Sequence, residues 1–467
     1  MSEENIATYQ PMERRRSRPL GLLETMYHTF NCRDIDVCPM FFRISCKYPV
    51  TRHHVKVALF QLAEEFTALR LTIVQTGQHT YKFVEKKHMP VSIKERHIKT
   101  KTPMLSQECF HRFDFSRGPL WKFTWLKYTG DSENSTEHLY PFQFFFTFHH
   151  AIADFQLSRI FVCCFLQNIL YSQGALSECV SQRRHLHPCV EHVIPLDLIR
   201  PKHELKGHKS YPRHALDMYN VTFSSEISTL KEKQISTEIS VINLTEAETM
   251  SFFQQCKEHD VKVTAALTAA MTLSFTQLIR KAIPLDITNF VVPTEIMVDL
   301  RRYMLDKRTQ QSFGSVGAVH MPLQVDIDLS GDVTSKSLYW SVATQCQNKL
   351  DEDLAKGEPM RVLREQIPSE IQNPPMTGKS PSVLTLTNLG YLNDIVPESC
   401  NNLMKLDEFI PWSNVNIDDM PIFYIGPYTI NKKLTMAVGF CGSYTSHQTT
   451  GQFTWTLINI LKNCSKL

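Results

Sequence analysis

Long apolar runs, paired cysteines and an excess of charge are all missing from this chain of 467 residues. No stretch stays apolar over the roughly 20 residues a membrane span needs, so no spanning helix is expected. Lysine and arginine total 50 against 47 aspartates and glutamates, a net charge of +3, which gives no electrostatic ground for a nucleic-acid partner. The 13 cysteines form no Cys-x-x-Cys and no paired spacing, which argues for reduced thiols rather than a disulfide framework. His-Glu-x-x-His and His-x-Glu with Pro-Cys-x-x-Cys are absent, so no metal is expected. A Gly-x-Ser-x-Gly elbow and a Cys-His signature are missing too, which disfavours a covalent intermediate. The opening Met-Ser-Glu-Glu-Asn is not an apolar signal region, and no tandem repeat is visible.

What is present suits a globular protein of two domains: 42% of residues are hydrophobic and 21% charged. Residues 1–17 are polar and read as a tail; their run Arg14 to Arg16 needs no function. Residues 18–170 read as an N-terminal lobe, 171–220, with Pro188, Pro195, Pro201 and Pro212, as a linker, and 221–467 as a C-terminal lobe. Periodicity predicts helices over 54–69, 155–170, 264–278, 334–355 and 453–463. Thr245 and Glu248 form a capping-box signature for one more helix, through Cys256. Strands are expected at 71–74, 81–84, 120–126, 142–148, 289–300, 383–387, 421–430 and 434–441, and 221–235 reads as mixed strand and polar segment. The chain closes on Ser465-Lys466-Leu467, the address read by the peroxisomal import receptor; a peroxisomal location is expected, with the cytoplasm as the alternative.

The most informative segment is His149-His150-Ala151-Ile152-Ala153-Asp154. The aromatic run Tyr140 to Phe148 leads in as a buried strand; Leu157, Ile160, Phe161, Cys164 and Phe165 lead out as a helix. A turn between two rigid elements is a common place for functional groups. An imidazole is the side chain best suited to take a proton near neutral pH, here directly from a substrate. If strand geometry persists, His149 and His150 point to opposite faces, so one alone can be the base. Asp154 can orient the motif by capping the following helix or by pairing with a buried arginine. Ordinary polar packing or a metal-binding His-His pair are the competing readings.

This segment resembles the His-His-x-x-x-Asp motif of the chloramphenicol acetyltransferase-like superfamily, which includes condensation domains, plant BAHD enzymes, alcohol acetyltransferases and polyketide-associated acyltransferases. Arg18-Pro-Leu-Gly21 with Glu24, Phe113 to Leu120, Val298-Asp-Leu-Arg-Arg302 and Thr387-Asn-Leu-Gly390 resemble further segments in the same order. The Asp-Phe-Gly-Trp-Gly motif is absent, which disfavours the BAHD branch, and the alcohol acetyltransferase branch is the nearest. Phe155 stands where the family often has glycine.

The resemblance implies an α/β (α+β) fold of two related lobes with mixed sheets, helices on their flanks, and a tunnel at the lobe interface. It implies an acyl-CoA-dependent O-acyltransferase with His150 as general base, His149 as a structural neighbour, and Asp154 as a structural residue paired with Arg301. A local Asp299–Arg301 contact is the competing option. Thr387 and Asn388 are candidate oxyanion donors, and Arg18, Phe155 and Tyr391 candidate tunnel residues. The partners are acyl-CoA, as co-substrate with no other cofactor, and a small alcohol or, second, an amine; a monomer is implied. A condensation-type enzyme with a carrier-protein donor and a non-catalytic binding protein are the alternatives. A carnitine acyltransferase is set aside, because no Ser-Thr-Ser signature is present.

Overall fold

The computed structural model describes residues 17–32, 37–98, 108, 112–128, 139–176, 184–195, 214–231, 236–304, 315–372, 382–411 and 421–464. Nearly all of the expected tail, half of the expected linker and Ser465-Lys466-Leu467 lie outside the described residues. The first half of the chain runs β1 (Ser17–Pro19), α1 (Leu22–Asn31), β2 (Val37–Cys46), α2 (Arg52–Glu65), β3 (Leu71–Gly77), β4 (Thr80–Glu85), β5 (Ile93–Ile98), β6 (Trp121–Tyr128), β7 (Tyr140–His149) and α3 (Phe155–Ser172). The second runs α4 (His214–Thr222), α5 (Ser224–Leu230), β8 (Thr237–Asn243), α6 (Glu246–Glu258), α7 (Val263–Ile279), β9 (Asn289–Asp299), β10 (Ala318–Asp328), α8 (Lys336–Ala355), α9 (Glu358–Arg361), α10 (Ile367–Gln372), β11 (Leu384–Leu386), β12 (Gly390–Tyr391), β13 (Met404–Pro411), β14 (Phe423–Ile430), β15 (Lys433–Cys441) and α11 (His447–Cys464).

The aromatic run before the histidines is the middle of a five-stranded sheet in the order β13-β2-β7-β6-β5. Such a strand has both faces covered, so its sequence is near-continuously apolar rather than alternating. Phe142, Phe144 and Phe146 contact Phe165 of α3, and Phe148 contacts Phe161. Phe145, on the opposite face, meets Phe41 of β2. Each of these rings is at most 1% exposed, and burying one is worth about 1.5–3 kcal/mol. His149 shares the face of Phe145, away from α3.

The second large sheet is mixed, in the order β10-β9-β11-β14-β15-β8, with β12 on β14. β9 and β10 pair antiparallel over eleven residues each, from Asp299–Ala318 to Asn289–Asp328. α7 is apolar nearly all round and buried between this sheet and its helical neighbours. A small sheet β1-β4-β3 completes the fold. One strand crosses between lobes: β13, from the C-terminal half, pairs with β2 and closes the edge of the first sheet.

Three local expectations are corrected. Residues 214–230, in part read as strand, are helical, because Tyr219, Phe223, Ile227 and Leu230 recur at helical spacing; Tyr219, Ile227 and Leu230 are buried. The helix expected over 54–69 ends at Glu65, and Thr67–Arg70 is a 3-10 turn. The strand expected to carry Arg301 ends at Asp299, whose Oδ1 accepts from the Arg301 amide and caps a 3-10 turn over Leu300–Tyr303. The capping box at Thr245 and Glu248 forms in full.

Candidate active site

The histidine pair stands where β7 ends and the chain turns into α3. The His149 amide donates to the Leu120 carbonyl, the last tie to the sheet, and the Ile152 amide donates back to the His149 carbonyl. Two steps later Asp154 caps α3: its Oδ1 accepts from the Leu157 amide at 3.1 Å. The turn is therefore held from the strand and from the helix.

The two imidazoles part company. His149 is fully buried, and its Nδ1 accepts from the Ala151 amide at 3.1 Å. The ring proton then sits on Nε2, which faces Nδ1 of His28 on α1 at 3.3 Å. Burial pushes the His149 imidazolium well below its ordinary range, with His28 and His150 adding to the effect, and burial lowers His28 to about 4. Both are thus neutral at pH 7. His150 instead lines a cavity. Tyr27 of α1 lies flat against the His150 ring, ring centroids 3.8 Å apart and planes 2° from parallel. The Tyr27 hydroxyl donates to the Ala318 carbonyl on β10, at 3.1 Å.

Asp154 makes both contacts considered for it. Besides the cap, its Oδ2 accepts from Arg301 Nη2 at 2.7 Å and from the Gly317 amide at 2.9 Å. Burial alone would push this carboxyl up; the Arg301 guanidinium and the Gly317 and Leu157 amides outweigh it and hold Asp154 below the usual carboxylate range. Arg301 also donates to the Ser315 carbonyl at 2.7 Å and to Asp299 Oδ1 at 3.1 Å, so the local contact and the long-range one coexist. Gly317 packs closely here: a Cβ would stand 3.3 Å from three Arg301 side-chain atoms, which would have to shift slightly.

The His150 cavity, of about 110 Å³, lies between the two large sheets. Its first wall is Cys38, Met40, Asp154 and Phe155, with Pro411 from the crossing strand β13. The opposite wall is built on the second sheet by Met297, Ala318, His320, Thr387 and Tyr424. The small residues Gly426, Ala437 and Gly439 leave the hollow. Thr387 Oγ1 and the Tyr424 hydroxyl are 2.5 Å apart.

Of the sequence candidates, the structure brings His150, Asp154, Phe155 and Thr387 to this cavity. Asn388 is turned away: its amide donates to Thr264 Oγ1 at 3.0 Å, and its Oδ1 accepts from the Gly390 amide, which shapes the Asn-x-Gly turn. Tyr391 is 56% exposed and does not line this cavity. Arg18 lines a separate cavity of about 610 Å³ at the start of α1 and holds Glu24 in a bidentate pair at 2.6 Å. Tyr27, His28, His320 and Tyr424 carry no local motif; only the register of the sheets and the docking of α1 bring them here. Among the described residues, no group of three or more His, Cys, Asp or Glu could hold a metal ion.

No family model matches the sequence, and no curated protein sequence matches it. Solved structures do match in fold. The TRI3 trichothecene 15-O-acetyltransferase from Fusarium sporotrichioides superposes with a TM-score of 0.68 at 11% identity, covering 97% of this chain and 96% of that one. The epimerization domain from the third module of tyrocidine synthetase B gives 0.63 at 12%, covering 97% and 98%. The polyketide synthase associated protein 5 from Mycobacterium tuberculosis gives 0.62 at 12%, covering 96% and 98%. At these identities the likeness is one of fold, and it spans nearly the whole chain: this protein has the two-lobed fold of the chloramphenicol acetyltransferase-like and condensation-domain proteins.

Proposed function

We propose that the protein is an acyltransferase that moves an acyl group from acyl-CoA to a small alcohol. The observation that carries this reading is the imidazole of His150, standing in a narrow cavity between two sheets on a turn locked by Asp154 and Arg301. His150 Nε2 takes the proton from the acceptor hydroxyl as its oxygen attacks the thioester carbonyl. The C–S bond then breaks, and the same imidazole returns the proton to the leaving thiolate of CoA. The charge on the tetrahedral oxygen needs a donor at hydrogen-bond distance. The Thr387–Tyr424 hydroxyl pair fills that role better than Asn388, whose side chain is spent on the turn. Asp154 acts without touching substrate, by holding the turn.

Transfer from a carrier-protein thioester is the second reading; the neighbours, which include an epimerization domain, favour it as much as their fold favours the first. One assay separates them: thiol release from a panel of acyl-CoAs, acetyl to long-chain, against mixed alcohols and amines, with wild type and His150→Ala in parallel. Acceptor-dependent release in wild type, reduced at least about 100-fold in the variant, is expected for loss of a general base. Equal release in both proteins removes His150 from the mechanism. No release with any CoA ester moves the donor to a carrier protein or the chain to a binding role.

A further inference from the structure

The His150 cavity follows matched steps of the two large sheets. On the first sheet, Cys38 of β2 lies opposite Phe148, at the histidine end of β7. Met40 pairs with Pro411 across β2 and β13, and Phe42 pairs with Phe409 two residues further from the histidines. Residues two apart share a face and stand about 7 Å apart. Cys38, Met40 and Pro411 line the cavity, while Phe42 and Phe409 lie beyond it. On the second sheet, Tyr424, Gly426 and Tyr428 follow one another on one face of β14. Tyr424 and Gly426 line the cavity, with their cross-strand partners Gly439 and Ala437. Tyr428, the next residue on that face, packs on Phe409 with ring centroids 5.3 Å apart, and Phe409 packs on Phe42 at 5.1 Å. The cavity thus ends against aromatic rings on both sheets. Phe155, the first residue of α3, completes that end: it lines the cavity, and its ring is 5.8 Å from Phe409. Phe42, Phe409 and Tyr428 are at most 3% exposed, whereas Phe155 is half-buried.

We propose that Phe155 sets the length of the acyl chain, so that the donor is a short-chain acyl-CoA. The inference rests on the acyltransferase reading and names its donor class. With the thioester oxygen against the Thr387–Tyr424 pair, the carbon chain of the same carbonyl meets Gly426, the next residue on that face of β14. Met40, Pro411, Gly426 and Ala437 bound that space and make it apolar. The acceptor needs only its hydroxyl beside His150. A cavity of about 110 Å³ holds roughly three or four non-hydrogen atoms, given about 30 Å³ for a water, which fits an acetyl group together with the attacking oxygen. A longer chain runs into the Phe155 ring. Loss of that ring frees room for a group the size of benzene, which takes a cavity of about 150 Å³, and so more than doubles the hollow. It also uncovers the Phe42–Phe409 pair, an apolar surface against which added methylenes can be buried.

The test measures kcat/KM for acetyl-, butyryl-, hexanoyl- and octanoyl-CoA with one alcohol, in wild type, Phe155→Leu and Phe155→Ala. Thermal melts of each variant confirm folding, and the milder Leu variant carries the test if the Ala variant does not fold. Wild type is expected to favour acetyl-CoA over octanoyl-CoA by about 100-fold or more, since one methylene that does not fit is worth roughly tenfold or more. Phe155→Ala raises the ratio of octanoyl to acetyl by at least about 30-fold, and Phe155→Leu raises it by a smaller factor. A companion series holds acetyl-CoA fixed and varies the alcohol from ethanol to octanol; its length preference is expected to be the same in all three proteins. An active wild type that uses octanoyl-CoA as well as acetyl-CoA overturns the inference alone. So does an unchanged acyl ratio in the folded variants, or a shift in the alcohol series instead, which would put the acceptor in the hollow. A wild type that releases no CoA from any ester overturns the acyltransferase reading and this inference with it.

Discussion

Two buried clusters meet at the His149–Asp154 turn, and they respond to different changes. Asp154 is 4% exposed and bonds Arg301, Gly317 and Leu157. Removing one member of such a pair leaves an uncompensated buried charge. Asp154→Asn is therefore expected to cost about 3–5 kcal/mol in chemical denaturation and to lower kcat as the turn loosens. Unchanged stability together with unchanged kcat would remove the orienting role. The histidine cluster answers to pH. His28 titrates near 4 in the fold against 6.5 in an open chain, and His149 is shifted the same way. Between these values the unfolded chain binds more protons than the folded one, so stability rises with pH through this window. The contribution is complete above pH 6.5 and is lost as pH falls toward 4, with His28 alone accounting for about 3 kcal/mol. Denaturation series at stepped pH should show this slope, and His28→Gln should flatten it. A wild-type profile level from pH 6.5 to 4.5 would contradict it.

At the scale of elements, α1 carries more of the site than its sequence announces. Glu24, Tyr27 and His28 fall three and four residues apart and share a helix face. They reach Arg18, His150 and His149 in turn. Tyr27 is the link between the base and the second sheet. Tyr27→Phe keeps the stack and loses the bond to Ala318, so it should cost about 1 kcal/mol of stability with kcat nearly intact. Tyr27→Ala loses the stack as well, worth about 0.5–1.5 kcal/mol beyond its area, and kcat should fall on the order of tenfold as His150 gains freedom. Equal kcat in the two variants would show that the stack does not hold the base. β7 and α3 were legible because a run of phenylalanines and a helical apolar repeat flank the motif. α1, β2, β10 and β13 were not, because their patterns blend with neighbouring segments and long-range pairing decides them.

For the whole molecule, the two sheets are tied by more than a linker. Asp154 bonds Arg301 and Gly317, Arg18 bonds Ser315 at 3.2 Å, Tyr27 bonds Ala318, and β13 leaves the second half of the chain to pair with β2. Lobes joined in this way should unfold as one unit. Native-state hydrogen exchange is expected to give the core amides of β7 and β9 the same opening free energy. Distinct free energies for the two strands would show lobes that melt separately. The same ties explain why a site formed by both sheets keeps its shape without a covalent brace.

The sequence by itself determined the motif, its place between strand and helix, the mixed α/β composition and the absence of the common nucleophile and metal signatures. These are local properties: residue type, spacing and hydrophobic period act over a few neighbours. The tertiary structure decided which histidine faces a cavity, that Asp154 serves cap and ion pair together, and that Asn388 serves its turn. It also decided that His28, Tyr27, His320 and Tyr424 join the site from positions as much as 397 residues apart, from Tyr27 to Tyr424. Strand register and helix docking set those meetings, and both follow from burying apolar faces against distant partners, which no local window contains.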